Sequence, residues 1–186
     1  TVDGDTSTND SFLAFAAGPP LPPTFFRDLE CGLLLVAQFL AKAIARDGEG
    51  ANCLIHVDVK GTLNDYDAQK IARSICGSSL VKTAVNGCDP NWGRIIAAAG
   101  KAGVQVSLET FSLWIGDYHL VEFGKPLPFD KEEVSSFMKK RFNGKKYLVD
   151  DSLSIRLLVG DGKGAGQAWG CDLSEQYIRI NADYTT

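Results

Sequence analysis

The chain has 186 residues, of which 45% are hydrophobic and 23% are charged, and its formal net charge is −4. This composition supplies enough apolar material for a buried core and differs from that of a disordered chain. An acidic chain whose apolar runs are all short argues against a nucleic-acid partner, which needs a basic surface, and against a membrane span, which needs about 20 apolar residues in one run.

The chain opens with TVDGDTSTND, a polar stretch that we interpret as a turn stabilised by local hydrogen bonds. Asp3 and Asp5 have the spacing of a calcium-binding loop, but Thr8 and Ala14 replace the glycine and the glutamate that such a loop requires. No metal is therefore expected. The apolar run SFLAFAAG has the length of a strand, and PPLPP forces an extended connection after it.

A helix is predicted from Arg27 to Arg46, because apolar residues recur there at helical spacing. The stretch RDGEG ends it, with Gly50 keeping the turn flexible. The alternation in CLIHVDVKG predicts a strand with one solvated face. NDYDAQKIARSI then reads as an amphipathic helix behind an Asn or Asp cap.

In the second half, DPNWGRIIAAAGKAG predicts a helix with Asp89 as its cap, and DKEEVSSFMKKRF one capped by Asp130. The basic residues are interpreted as a solvated helix end and turn: Lys139, Lys140, Arg141, Lys145 and Lys146. Strands are predicted at VQVSL, FSLWIG, HLVEFG, KKYLVD and LSIRLLVG, and a final extended segment at EQYIRINADYTT. Because no strict βαβ rhythm appears, we expect an α+β fold with a mostly antiparallel or mixed sheet layered with helices. The length fits a single unit, either undivided or with two lobes sharing a core.

The five cysteines are scattered and odd in number, and no CxxC or Cys/His cluster accompanies them. Structural zinc is not expected, and the thiols are interpreted as reduced and mostly buried, as in a reducing compartment. His56 and His119 lie in strand-like alternations and are interpreted as structural or solvent-facing.

Three features are candidates for chemistry. GDGKGAG resembles a nucleotide-binding loop, but an extended stretch follows it instead of a helix, so a turn with close backbone approach is the better interpretation. Thr1 carries an α-amine that could serve as a base for its own hydroxyl, although position alone does not select it. Glu49 stands between two glycines, and is either part of a solvated turn or a fixed anion facing an ammonium group.

Several long motifs occur in order along the chain: TVDGDTSTND, RDGEGA, SSLVKTAVNGCDPNWGRIIAAAGKAG and GQAWGCDLSEQYIRINADYTT. Together with the spacing between them, they resemble the bifunctional ornithine acetyltransferase (glutamate N-acetyltransferase) family of arginine biosynthesis. The resemblance covers essentially the whole chain.

This resemblance implies a precursor that cuts itself into an α and a β chain, which then assemble as α2β2. The new amino-terminal threonine of β takes acetyl from N2-acetylornithine, forms an acetyl-enzyme and passes acetyl to glutamate by ping-pong chemistry. No cofactor is implied, although some members also accept acetyl-CoA as a co-substrate. The compartment would be the cytoplasm in a bacterium, and the plastid stroma or mitochondrial matrix in a eukaryote.

The resemblance also assigns residues. The family's self-cleavage threonine lies in a MATML-like segment upstream of TVDGDTSTND, and no such segment occurs here. Thr1 therefore does not align with the nucleophile, no catalytic residue is expected in this chain, and the chain should be catalytically incomplete without α and the upstream threonine. The substrate contacts carried over by motif are Glu49, Asn181 and Thr186. A self-sufficient hydrolase using Thr1, and a non-catalytic module of the same fold, remain as alternatives.

Overall fold

The computed structural model describes residues 1–142 and 144–183. The helices in this part of the chain are α1 (Phe26–Arg46), α2 (Asp65–Cys76), α3 (Ser79–Asn86), α4 (Trp92–Gly100), α5 (Lys131–Arg141) and α6 (Glu175–Ala182). The strands are β1 (Leu54–Thr62), β2 (Ser112–Ile115), β3 (Tyr118–Glu122), β4 (Lys125–Pro126), β5 (Ser152–Leu158) and β6 (Gly164–Cys171). Two short 3₁₀ turns cover Pro23–Phe25 and Leu108–Thr110.

The strands form one six-stranded sheet in the order β4-β3-β2-β5-β1-β6. The neighbouring strands β1 and β5 run parallel, with Val57 opposite Ile155, whereas all the other neighbouring pairs are antiparallel. The sheet is therefore mixed, and the α+β expectation is confirmed.

One face of the sheet forms the core. Ile55, Val57 and Val59 point into it and are fully buried, in one apolar cluster with residues of α2, α4 and α5. The alternate residues of β1, from His56 to Lys60, are half-buried or exposed, as the sequence alternation predicted. Among the described residues, no helix has both the length and the apolar character needed to cross a membrane.

The predicted first helix is confirmed as α1, but its orientation is unexpected. Only Ala45 is buried, and the side that rests on the sheet carries small and polar residues such as Gln38 and Lys42. The apolar stripe instead faces outwards, with Leu33 59% and Ile44 70% exposed.

The predicted strands at VQVSL and KKYLVD are wrong. At VQVSL, Val104 and Val106 do pack against the core, but the backbone pairs with no described strand and continues into a 3₁₀ turn. At KKYLVD, Leu148 has a φ of +61° and the amide of Asp150 donates to the carbonyl of Lys146, so the chain turns instead of extending.

SFLAFAAG is not a strand either. Phe12 and Phe15 are 80% and 92% exposed, and no described strand runs beside this segment. A strand requires a hydrogen-bonded neighbour, which the alternation of residue types cannot supply by itself.

Helix boundaries differ from prediction in three places. The predicted extended segment EQYIRINADYTT is helical from Glu175 to Ala182, and its last three residues lie outside the described residues. The helix α6 begins after Ser174, whose hydroxyl accepts a hydrogen bond from the Tyr177 amide at 3.4 Å. The helix of the DPNW motif, α4, is capped by Asn91 and not by Asp89. Helix α3 was not predicted at all. The caps at Asn64 and Asp130 are confirmed.

The glycine-rich turn GDGKGAG was interpreted as a place where two backbone segments come close together, and the structure confirms this. Gly61 has a φ of +94° and lies against Gly160, while a Cβ added at Gly162 would overlap the carbonyl of Thr62. The chain then enters β6, so no helix starts at this turn to receive a pyrophosphate.

We expect Gly162→Ala to lower the free energy of unfolding by about 1–3 kcal/mol, because the methyl group has no space. Gly100→Ala is the matched control, because Gly100 ends α4 and a Cβ added there would meet no atom within 4 Å. Alanine at this position should leave the free energy of unfolding unchanged or raise it by up to about 1 kcal/mol. Urea denaturation of both variants checks this, and equal midpoints would contradict it.

Candidate functional site

The loop that carries Glu49 connects α1 to β1 and is held at both ends. Arg46, the last residue of α1, donates to the carboxylate of Asp151 at 2.7 Å and to the carbonyl of Ala51 at 3.1 Å. Gly50 has a φ of +67°, and its carbonyl accepts a 2.7 Å hydrogen bond from Ser174. The predicted flexibility of this turn is therefore wrong.

Gly50 is required by a close approach. A Cβ at this position would lie 2.7 Å from the Cβ of Gln176, in the first turn of α6. The loop and the amino-terminal end of α6 are thus in direct contact, although more than 120 residues separate them in the sequence.

Two of the three residues predicted to bind substrate, Glu49 and Asn181, meet where the loop touches α6. The Asn181 Nδ2 atom donates to Glu49 Oε2 at 2.8 Å and to the carbonyl of Tyr177 at 3.0 Å. Both side chains are exposed. Among the described residues, Glu49 Oε1 accepts no hydrogen bond. The third predicted contact, Thr186, lies outside the described residues.

The opening motif reaches the same place. Asp3 Oδ1 accepts from the amide of Asp5 at 2.9 Å, the local turn that the sequence predicted, and Asp3 Oδ2 accepts from the Tyr177 hydroxyl at 2.9 Å. The Asp5 amide and the Tyr177 hydroxyl lower the pKa of Asp3. The pKa of Tyr177 is raised, chiefly because its hydroxyl donates to Asp3, with the Glu49 charge adding to the effect.

We refer to Asp3, Glu49, Tyr177 and Asn181 as the polar cluster. Its side chains are two carboxylates, a phenol and an amide, so it can bind and orient a cationic group. It contains no serine, threonine or cysteine that could act as a nucleophile. Sequence reasoning missed Tyr177, because its signal depends on α6 being helical: Tyr177 and Asn181 are one turn apart only in a helix.

Asp172 connects the elements beneath the polar cluster. Its carboxylate is 2% exposed and accepts from four donors: the amides of Asn52 and Cys53 and the side chains of Asn52 and Asn86, at 2.7 to 3.0 Å. The residues after the Glu49 loop are thereby joined to α3 and to the chain entering α6. No pattern in the sequence singles out this aspartate beyond its place in the GQAWGCDLS motif.

Lys82 is a second buried charge nearby, 1% exposed, and its Nζ donates to the Cys171 carbonyl at the end of β6. The Cys171 thiol lies 3.8 Å from the same Nζ, and burial raises its pKa. All five cysteines are unpaired, and four of them are buried.

Thr1 also lies near β6. Its α-amine donates to the carbonyl of Trp169 at 2.7 Å, and burial lowers the pKa of that amine. Its hydroxyl has no hydrogen-bond partner among the described residues. Within residues 1–142 and 144–183, no group of three or more His, Cys, Asp or Glu side chains is arranged to hold a metal ion.

The fold and the polar cluster define an α+β protein that presents a carboxylate and an amide at the end of a mixed sheet. A family model described as "ArgJ family" matches residues 1–186. The chain belongs to the ArgJ family.

Curated relatives agree with this assignment. The "Arginine biosynthesis bifunctional protein ArgJ" of Prochlorococcus marinus (strain MIT 9313) is 63% identical over the whole of this chain, and that of Synechocystis sp. (strain PCC 6803) is 50% identical over 192 aligned residues. The chain spans 43% and 46% of these two relatives.

A solved structure is also similar. The arginine biosynthesis bifunctional protein argJ from Bacillus halodurans matches with a TM-score of 0.89 and 43% identity, over 99% of this chain and 85% of the solved one. The mixed sheet and its helices are therefore shared with a member of the family.

We expect Asp172→Asn to lower the free energy of unfolding by about 1–3 kcal/mol, because the new NH₂ group would face donors and leave at least one of them unpaired in a buried place. Thermal and urea denaturation measure the loss. Asp161→Asn, an exposed aspartate in the glycine-rich turn, is the control and should change neither. A stable Asp172→Asn variant would show that the four hydrogen bonds do not hold these elements together.

Proposed function

We propose that this chain is the β-chain portion of an acetyltransferase that moves acetyl from N2-acetylornithine to glutamate in arginine biosynthesis. The chemistry is ping-pong transfer through an acetyl-threonine on a residue that this chain does not contain. The observation that carries the proposal is the hydrogen bond between Asn181 and Glu49, which brings together two residues assigned to substrate binding from separate motifs.

Each residue of the pair has a distinct part. Glu49 Oε1 receives the ammonium group of the ornithine part, since a charge-assisted hydrogen bond gives both attraction and orientation. Asn181 holds Glu49 Oε2 and so fixes the direction of the carboxylate. Thr186 is proposed as a third contact with the polar end of the substrate. The reaction needs no cofactor, and acetyl-CoA is a candidate second acetyl donor.

The proposal includes a second chain, the α chain of the same precursor, in an α2β2 assembly. This chain spans 85% of the solved Bacillus halodurans chain but 43% of the Prochlorococcus marinus relative, so the solved chain is about half as long as that relative. Such a length is what a two-chain enzyme would give.

The outward stripe of α1 supports the same partner. It carries the exposed side chains Leu29, Leu33, Val36, Leu40 and Ile44. Large exposed apolar patches on a protein surface mark interaction sites, among them sites that another protein chain covers. We propose that the α chain covers this stripe.

We further propose that the enzyme works in a reducing compartment, which suits five unpaired cysteines. The two curated relatives compared above are from cyanobacteria. The cytoplasm is the compartment proposed for a bacterial protein, and the plastid stroma or mitochondrial matrix for a eukaryotic one.

Glu49→Gln tests the substrate role. In the complete two-chain enzyme we expect kcat/KM for N2-acetylornithine to fall by the equivalent of about 1–3 kcal/mol, the scale of a hydrogen bond to a charged group. Steady-state kinetics measure it. Glu122→Gln, an exposed carboxylate on β3, is the control. Unchanged kinetics in Glu49→Gln would remove Glu49 from the site.

The α1 stripe predicts where the second chain binds. The double change Leu33→Glu and Leu40→Glu should reduce co-purification of the second chain at least about tenfold, because two apolar side chains no longer favour burial. Leu63→Glu places the same charge at an exposed leucine outside α1 and should have no effect. Equal recovery of the second chain from all these proteins would exclude the stripe as its docking surface.

A further inference from the structure

Helix α6 is held by polar contacts. None of its residues is buried, so apolar packing does little to set its position. Within residues 1–142 and 144–183, three side-chain hydrogen bonds hold α6 and its cap residue Ser174 against the rest of the chain. They are Ser174 to the Gly50 carbonyl, Tyr177 to Asp3 and Asn181 to Glu49.

These contacts are coupled through the helix itself. Tyr177 and Asn181 are four residues apart, which places them on one side of α6. The Asn181 side chain also donates to the Tyr177 carbonyl at 3.0 Å. A shift of Tyr177 therefore moves the amide that contacts Glu49.

Asp3 is a fixed acceptor for the Tyr177 hydroxyl. Both of its carboxylate oxygens are engaged, one by the Asp5 amide and one by Tyr177. The neighbouring Val2 packs closely beside Gly48: a Cβ added to Gly48 would lie only 3.0 Å from the Val2 side chain. The opening motif thus touches the Glu49 loop on one side and α6 on the other.

We propose that Asp3 and Tyr177 form a positioning pair, which sets the place of the Asn181 amide against Glu49 and so leaves Glu49 Oε1 free for the substrate ammonium. The pair does not touch the substrate in this role. The part of the proposal that concerns the substrate rests on the proposed acetyltransferase function, whereas the part that concerns Asn181 does not.

A measurement without substrate tests the positioning directly. In protein labelled with ¹⁵N-asparagine, the Asn181 side-chain amide is assigned by its loss in Asn181→Ala. Tyr177→Phe should move this resonance towards the position of a solvent-exposed amide. Tyr118→Phe removes a phenol-to-carboxylate bond of the same 2.9 Å length, from Tyr118 to Glu133, and should leave it unchanged. An unmoved resonance in Tyr177→Phe would overturn the proposal.

Kinetics of the complete two-chain enzyme test the consequence. Tyr177→Phe and Asp3→Ala should each raise KM for N2-acetylornithine about tenfold with kcat within about twofold, the scale of one hydrogen bond to a charged group. The double variant should be no worse than either single variant, because both remove the same bond. Asp3→Asn keeps an acceptor oxygen and should restore much of the loss.

The outcomes separate the two proposals. If the effects of Tyr177→Phe and Asp3→Ala on KM add in the double variant, the positioning pair is overturned and the acetyltransferase function is not affected. The same holds if KM in Tyr177→Phe equals KM in Tyr118→Phe. A wild-type enzyme without acetyl transfer, together with a shifted Asn181 resonance in Tyr177→Phe, would overturn the function and retain the positioning of Asn181. If Tyr177→Phe does not fold, Asp3→Ala replaces it in both measurements.

Discussion

The Asp172 carboxylate is the interaction on which the arrangement of the site depends. A buried anion is costly unless donors surround it, and here four N–H groups from three residues do so. Asn52 and Cys53 lie just before β1, and Asn86 ends α3, which is more than 30 residues further along the sequence. Because all of them must be in place before the charge is satisfied, a single carboxylate makes the position of each depend on the others.

This constraint explains how an exposed loop can be well positioned. Glu49 itself is exposed and makes one hydrogen bond in the described structure, to Asn181. The loop is nevertheless held before it by Arg46 and after it by the Asp172 network, with Gly50 in contact with α6. The charge thus remains accessible to a ligand, while the backbone that carries it has little freedom.

The sequence predicted the elements whose signal is local. The alternation of β1 and the caps at Asn64 and Asp130 depend only on neighbouring residues, and they were confirmed. The failures share another cause. VQVSL and SFLAFAAG have strand-like patterns, but a strand also needs a partner, and pairing is decided by the rest of the fold.

The site divides in the same way. Glu49 and Asn181 were predicted from motifs, but not the bond between them, because the terminal segment was expected to be extended. Over a short apolar run, alternation and helical spacing are hard to distinguish. Ser174 decides in favour of the helix by capping it, and only then do Tyr177 and Asn181 point to the same side.

Helix α1 shows why a correct secondary-structure prediction can still give a wrong packing. An apolar stripe at helical spacing normally faces the core of its own chain. Here the side that meets the sheet has Gln38, Ala41, Lys42 and Ala45, and Lys42 lies over the Trp169 ring at 5.3 Å. The small residues let α1 approach the sheet closely, and the Lys42 ammonium on the Trp169 ring adds a cation–π attraction between α1 and β6. The apolar stripe is left exposed in the part of the chain that the structure describes. Apolar periodicity therefore predicted the helix, whereas the side of the helix that packs on the sheet is decided by the rest of the fold, here by the small and polar residues that fit against β6.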